Sequence, residues 1–151
     1  MKKLNLYIIE KLRINKDSKN QYNYFPKNKN ELKEIINQLI EERGNEADLN
    51  DIDTSNITDM SELFEDSYFN GDISKWDISN VTNMKYMFYN SKFNKDISEW
   101  DVSNVTDMKD MFCCSKFNQD ISKWNVSKLE NMFDMFFKSP LEKNPPKWYK
   151  K

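Results

Sequence analysis

Large apolar residues recur along this chain at one fixed interval. Trp76, Trp100, Trp124 and Trp148 stand 24 residues apart, and Met60, Met84, Met108 and Met132 keep the same register. So do Phe64, Phe88, Phe112 and Phe136, and two serine columns, at 55, 79, 103 and 127 and at 67, 91, 115 and 139. Cut after each Trp, residues 53–148 fall into four units, the second reading DISNVTNMKYMFYNSKFNKDISEW. A period of this length signals a stack of repeats, in which no unit buries its apolar face alone.

Within that unit Val81, Met84, Met87 and Phe88 lie at i, i+3, i+6 and i+7, the spacing of one helical face. The pattern predicts a short inward-facing helix capped by Thr82. Across residues 96–103, Trp100 and Val102 are two apart, as on one side of a short strand. Ile97 falls out of step, so a turn or bulge near Ser98 is expected. The expected architecture is an α/β repeat solenoid, with one short strand and one short helix per coil.

Extended backwards, the register aligns Ile36, Leu39 and Ile40 with Met60, Leu63 and Phe64, which makes residues 29–52 a degenerate extra unit. A longer helix, roughly residues 31–43, is predicted there. Leu32, Ile35, Ile36, Leu39 and Ile40 face inward, Asn28 or Asn30 caps the start and Gly44 ends it. This assigns residues 1–52 to an N-terminal cap region and residues 53–151 to a four-repeat body. Pro140, Pro145 and Pro146 mark its C-terminal cap, since proline offers no amide to a further strand. The length suits one structural domain.

The strings WDISNVTNMKYMFYNSKFNKDISEW and WDVSNVTDMKDMFCCSKFNQDISKW resemble the repeats of the BspA-like leucine-rich-repeat proteins, a mycoplasma lipoprotein-type repeat family. The likeness covers residues 53 to about 139. It implies a leucine-rich-repeat-like solenoid and, in many members, a surface role in adhesion or host binding. Short unexported proteins with such repeats look like products of phages or mobile elements, an analogy that implies an intracellular effector or inhibitor.

Composition narrows the chemistry. The chain has no His and two Gly, which removes His-dependent catalysis and glycine-rich phosphate loops. Cys113 and Cys114 occupy columns held elsewhere by Glu65 and Asp66 or Tyr89 and Asn90, and are taken as reduced surface substitutions without a basic partner. Three polar columns contain Asp53, Asp77 and Asp101, then Asp59 and Asp107, then Asp72, Asp96 and Asp120. They suit turn formation better than calcium binding, and Asn70, Asn94 and Asn118 suit an internal ladder. No cofactor or metal is expected, and the chain is taken to be no enzyme. Net charge is −2 with no long basic run, so nucleic acid is not favoured as a partner. The apolar run at residues 4–9 is broken by Glu10 and Lys11, so neither an export signal nor a membrane span is read and a cytoplasmic location is expected.

Charge is uneven along the repeats. Residues 53–76 hold Asp53, Asp59, Glu62, Glu65, Asp66 and Asp72 against Lys75 alone, and in register beside them stand Glu41 and Glu42. If Met84, Met87 and Phe88 face inward, Tyr86 and Tyr89 face outward, and their equivalents are Glu62 and Glu65, Asp110 and Cys113, and Asp134 and Phe137. The candidate binding face is therefore Glu41, Glu42, Glu62, Glu65, Asp66, Tyr86, Tyr89 and Asp110. It suits a protein partner with a basic, partly apolar surface. The function expected is protein binding inside the cell, with a bacterial surface adhesin as the alternative and the oligomeric state open.

Overall fold

A computed structural model of the chain describes residues 22–150. Among these residues the single α-helix, α1, is Lys29–Arg43. Its start follows from Asn28, whose side-chain oxygen accepts from the Glu31 N–H at 3.0 Å, while the Glu31 carboxylate accepts from the Lys27 N–H at 2.7 Å. It stops at Gly44, which takes φ 87° and donates its N–H to the Ile40 carbonyl. Leu32, Ile35, Ile36 and Leu39 are buried against the first coil, the inward face expected from the sequence.

The repeats stack, but the α/β solenoid expectation is overturned. Among the described residues no strand forms, parallel pairing is reduced to isolated bridges such as Asp59–Asn83–Asp107–Asn131, and no repeat contains an α-helix. Each coil is a chain of turns. Val81, Met84, Met87 and Phe88 are buried as the spacing demanded, yet the backbone reaches that arrangement by another path. Tyr86 and Asn90 sit at φ 57° and 50°, and Glu62, Asp66, Asp110, Cys114, Asp134 and Lys138 repeat the same left-handed conformation in register. A left-handed residue every fourth position interrupts any helix.

The reason lies in where the amides go. N–H groups of Met60, Glu62, Phe64 and Asp66 donate to the carbonyls of Asn83, Lys85, Met87 and Tyr89 in the next coil at 2.9–3.1 Å. Met84, Tyr86, Phe88 and Asn90 donate likewise to Asp107, Lys109, Met111 and Cys113, and Met108, Asp110, Phe112 and Cys114 to Asn131, Phe133, Met135 and Phe137. The intervening peptides close turns within the coil, as when Met87 and Tyr89 N–H groups donate to Met84 and Tyr86 carbonyls. Left-handed L-residues cost about 1–2 kcal/mol each. They persist because these rungs pair buried peptide groups that a short isolated helix would leave unmatched at its ends. All twelve rungs point the same way, N–H toward the C-terminal end of the stack.

One apolar core runs through every coil from Tyr24 to Phe136. Phe64, Phe88, Phe112 and Phe136 stack with centroids 5.6, 5.5 and 5.9 Å apart and planes within 3°. Phe69, Phe93 and Phe117 form a second file beside them. Each Trp indole N–H donates to a carbonyl in the preceding coil, Trp100 to Ile73 and Trp124 to Ile97. Ile97 is buried with Trp100 and Val102, and the Trp100 N–H to Ile97 carbonyl bond makes the turn anticipated near Ser98. Gly71 is required for packing: a Cβ there would lie 2.0 Å from the Ala47 carbonyl oxygen.

Candidate functional site

The polar columns act as turn hardware. Asp77, Asp96, Asp101, Asp107 and Asp120 each accept the N–H two residues on at 2.8–3.1 Å, and Asn83, Asn125 and Asn131 do the same at equivalent places. Backbone and hydroxyl donors of Ser74, Ser98, Ser103 and Ser122 hold the carboxyls of Asp72, Asp96, Asp101 and Asp120 below the usual carboxylate range. Asn94 and Asn118 donate their N–H groups to the side-chain oxygens of Asn70 and Asn94 at 2.8 Å, an asparagine ladder through the coils. Among the described residues no group of three or more His, Cys, Asp or Glu is placed to hold a metal.

The binding-face residues spread along the outer edge of the turn chain. Glu62, Glu65 and Asp66 are exposed, whereas Tyr86, Tyr89 and Asp110 are half-buried. Tyr86 and Tyr89 meet edge to face with centroids 5.6 Å apart. The ammonium groups of Lys85 and Lys109 lie 5.5 and 5.9 Å from the Tyr86 ring centre, a cationic setting absent from the sequence reading. Asp66 is tied to the next coil, its carboxylate accepting from Asn90 Nδ2 at 2.6 Å. Desolvation by the neighbouring atoms first, then the like charges of Glu62 and Asp66, raise the Glu65 carboxyl above its ordinary value against the pull of Lys33 and Lys29.

Glu41 and Glu42 are exposed in the last turns of α1, with Gln38 Nε2 donating to Glu42. The helix residues that reach the Ser61–Leu63 segment are Lys29, whose Nζ donates to Ser61 Oγ at 2.7 Å, and Lys33, whose Nζ donates to the Leu63 carbonyl. These partners are 32 and 30 residues apart. The 24-residue register lapses here because a helix advances about 1.5 Å per residue and needs more residues to cover the same edge. It resumes after Gly44, where the N–H groups of Asn70 and Asp72 meet the Asn45 and Ala47 carbonyls.

Cys113 is a correction, being buried where a surface position was expected. Its short side chain stands in the column of bulkier Tyr89 and Phe137. Burial, then the neighbouring Cys114, push its thiol up to about 12, so it is protonated and unreactive at neutral pH. The two sulfurs are 3.5 Å apart and both thiols are free.

A second apolar feature joins Phe137, outward as the spacing required, to Phe133, which the spacing did not single out. Phe133 is 64% and Phe137 43% exposed, and with Met132, Phe136, Tyr149 and Lys150 they line a cleft of about 240 Å³ at the C-terminal end. The available signal was Phe133 itself, standing where Lys85 and Lys109 occupy the preceding coils.

No helix among the described residues is long and apolar enough to cross a membrane. No curated protein and no solved structure matches the chain. Residues 30–148, which take in all of α1 but Lys29 and all four coils, match one protein family. The chain accordingly belongs to the family described as Mycoplasma protein of unknown function, DUF285.

Proposed function

We propose that this protein is a non-enzymatic protein-binding module, an intracellular effector or inhibitor that engages a basic, partly apolar partner surface. The observation that carries the reading is the contacting Tyr86–Tyr89 pair beside the exposed carboxylates of Glu62, Glu65 and Asp66. Paired aromatics on a rigid backbone make good anchors, since they bury area with little loss of rotamer freedom. The carboxylates speed encounter with a basic surface. Asp110 extends the acidic surroundings of this ridge, whereas α1 presents Lys29 and Lys33 to it in place of Glu41 and Glu42.

The resemblance to BspA-like repeat proteins supports the other reading, a surface adhesin, and fractionation of the native host separates the two. Pull-down from that host with mass spectrometry supplies the partner. Replacing Tyr86 and Tyr89 together by Ala is expected to weaken binding by more than about 2 kcal/mol, mainly through faster dissociation. Reversing Glu62 and Glu65 to Lys slows association and lowers its salt dependence. Wild-type kinetics for both double variants, measured by surface plasmon resonance, would move the interface off this ridge.

A further inference from the structure

Cys113 and Cys114 are neighbours in the chain, and their sulfurs converge to 3.5 Å. Along an extended chain successive side chains point to opposite faces, so such convergence needs a bend. The left-handed conformation of Cys114, at φ 60°, supplies it. Both residues are pinned through the backbone, the Cys113 N–H donating to the Asp110 carbonyl at 3.2 Å and the Cys114 N–H to the Phe137 carbonyl of the last coil at 2.8 Å. Asn90 holds the same conformation one coil earlier, so the bend belongs to the repeat and the two thiols are particular to this coil. Both thiols are free, Cys113 buried and Cys114 partly exposed.

Geometry decides what two thiols at this separation can hold. A direct disulfide is strained, because the Cα atoms of chain neighbours lie about 3.8 Å apart whereas disulfides span about 4.4–6.8 Å. A bridging atom enlarges the ring and relieves that strain. With bonds to sulfur of about 2.3 Å, one atom shared by both sulfurs subtends an angle of about 100°. A linear two-coordinate cation would need the sulfurs about 4.6 Å apart at that bond length. Zinc takes four ligands, and among the described residues no group of three or more His, Cys, Asp or Glu is placed to hold a metal. Asp110 and Asp134 lie close enough to Cys113 to oppose a pair of thiolates, which favours an uncharged product. A bent trivalent centre that forms neutral bonds to sulfur meets all of these conditions, and trivalent arsenic is such a centre.

We infer that Cys113 and Cys114 form a binding site for a trivalent arsenical carrying one organic group, held by one bond from arsenic to each sulfur. In the hydrated ligand, R–As(OH)2, each As–O bond breaks as its hydroxyl takes a thiol proton and leaves as water. Two S–H and two As–O bonds are lost, two As–S bonds form and two waters depart. Arsenic stays trivalent, so the step needs no oxidant or reductant. Cys114, the more exposed, condenses first, and Cys113 then closes the ring as an intramolecular partner. A Cys113 thiol that keeps its proton is a poor thiolate nucleophile, but it carries the proton that the departing hydroxyl requires. The site holds whether or not the neighbouring ridge binds a protein.

The test adds phenylarsine oxide, the dehydrated form of such a ligand, in equimolar amount to the reduced full chain. Intact mass is expected to show one phenylarsenic group per chain with both thiol protons lost. Excess glutathione, a monothiol, is expected to release it at least tenfold more slowly than from Cys114→Asn or Cys113→Ser, whereas 2,3-dimercaptopropanol strips it from the wild-type chain. Cys114→Asn adopts the residue that Asn90 uses at the same bend, so its loss of retention is not a loss of structure. Because the folded chain holds the sulfurs at the bridging distance, binding is expected to raise the melting temperature by mass action. Release from the wild type at the rate of the single variants would overturn the inference. So would an unchanged or lower melting temperature with arsenic bound, which would assign the binding to thiols freed from the folded geometry.

Discussion

Lys33 Nζ donates to the main-chain carbonyl of Leu63, joining the cap helix to the first coil across 30 residues. Lys33 is half-buried, and its ammonium group ends a column of carbonyls that in every later coil is met by amides of the coil before. Desolvation lowers its pKa, opposed by the nearby Glu65.

Replacing Lys33 by Met keeps the aliphatic stem and leaves the Leu63 carbonyl without its donor. The expected loss is about 1–2 kcal/mol, the cost of an unmatched acceptor less the relief of desolvating a charge. Calorimetry is expected to show a melting temperature lower by several degrees, and Lys33→Glu a larger drop.

Phe88 stacks on Phe64 and Phe112 in the file of rings and also meets Phe93 at 4.4 Å. Phe88→Ala opens a cavity in a middle coil that turns on both sides cannot close. Urea unfolding is expected to show a loss of about 3–5 kcal/mol.

Cys114 takes φ 60° in the column where Asn90, at φ 50°, also bonds to Asp66 through its side chain. Asn tolerates the left-handed region better than most residues. Cys114→Asn is expected to stabilise by about 0.5–1 kcal/mol, read as a higher melting temperature under reducing conditions.

The depressed carboxyls of Asp72, Asp96, Asp101 and Asp120 bind protons less readily in the folded chain than in the unfolded one. Their contribution is complete above the unfolded value of about 4 and is lost as pH falls through the lower folded values. Melting temperature is expected to fall as the solution is taken from pH 5 to pH 2. Asp96→Asn changes little at pH 7, since Asn83 and Asn125 make the same turn contact, and flattens the acid slope. Glu65 has the opposite sign: its raised carboxyl means that ionisation opposes folding. Glu65→Gln therefore raises the melting temperature at pH 7, a gain that fades as pH drops through the carboxylate range.

By itself the sequence determined the period, the inward columns, the helix with Asn28 and Gly44 at its ends, and the turn duty of the Asp and Asn columns. These depend on local spacing or on contacts that recur every coil, such as the carboxylate of Asp96 and the amide of Ser98 two residues on. Apolar residues at i, i+3 and i+4 state which side chains share a face, and both a helix and a chain of turns satisfy that condition. Choosing between them required the partners of the alternate amides, and those lie 23 residues away, as from Met84 to Asp107. Only the tertiary structure decided the turn-built coils, the burial of Cys113, the shifted register of α1 with Lys29 and Lys33 on the first coil, and the cations around Tyr86. Each depends on what the neighbouring coil presents, which no window of one coil contains.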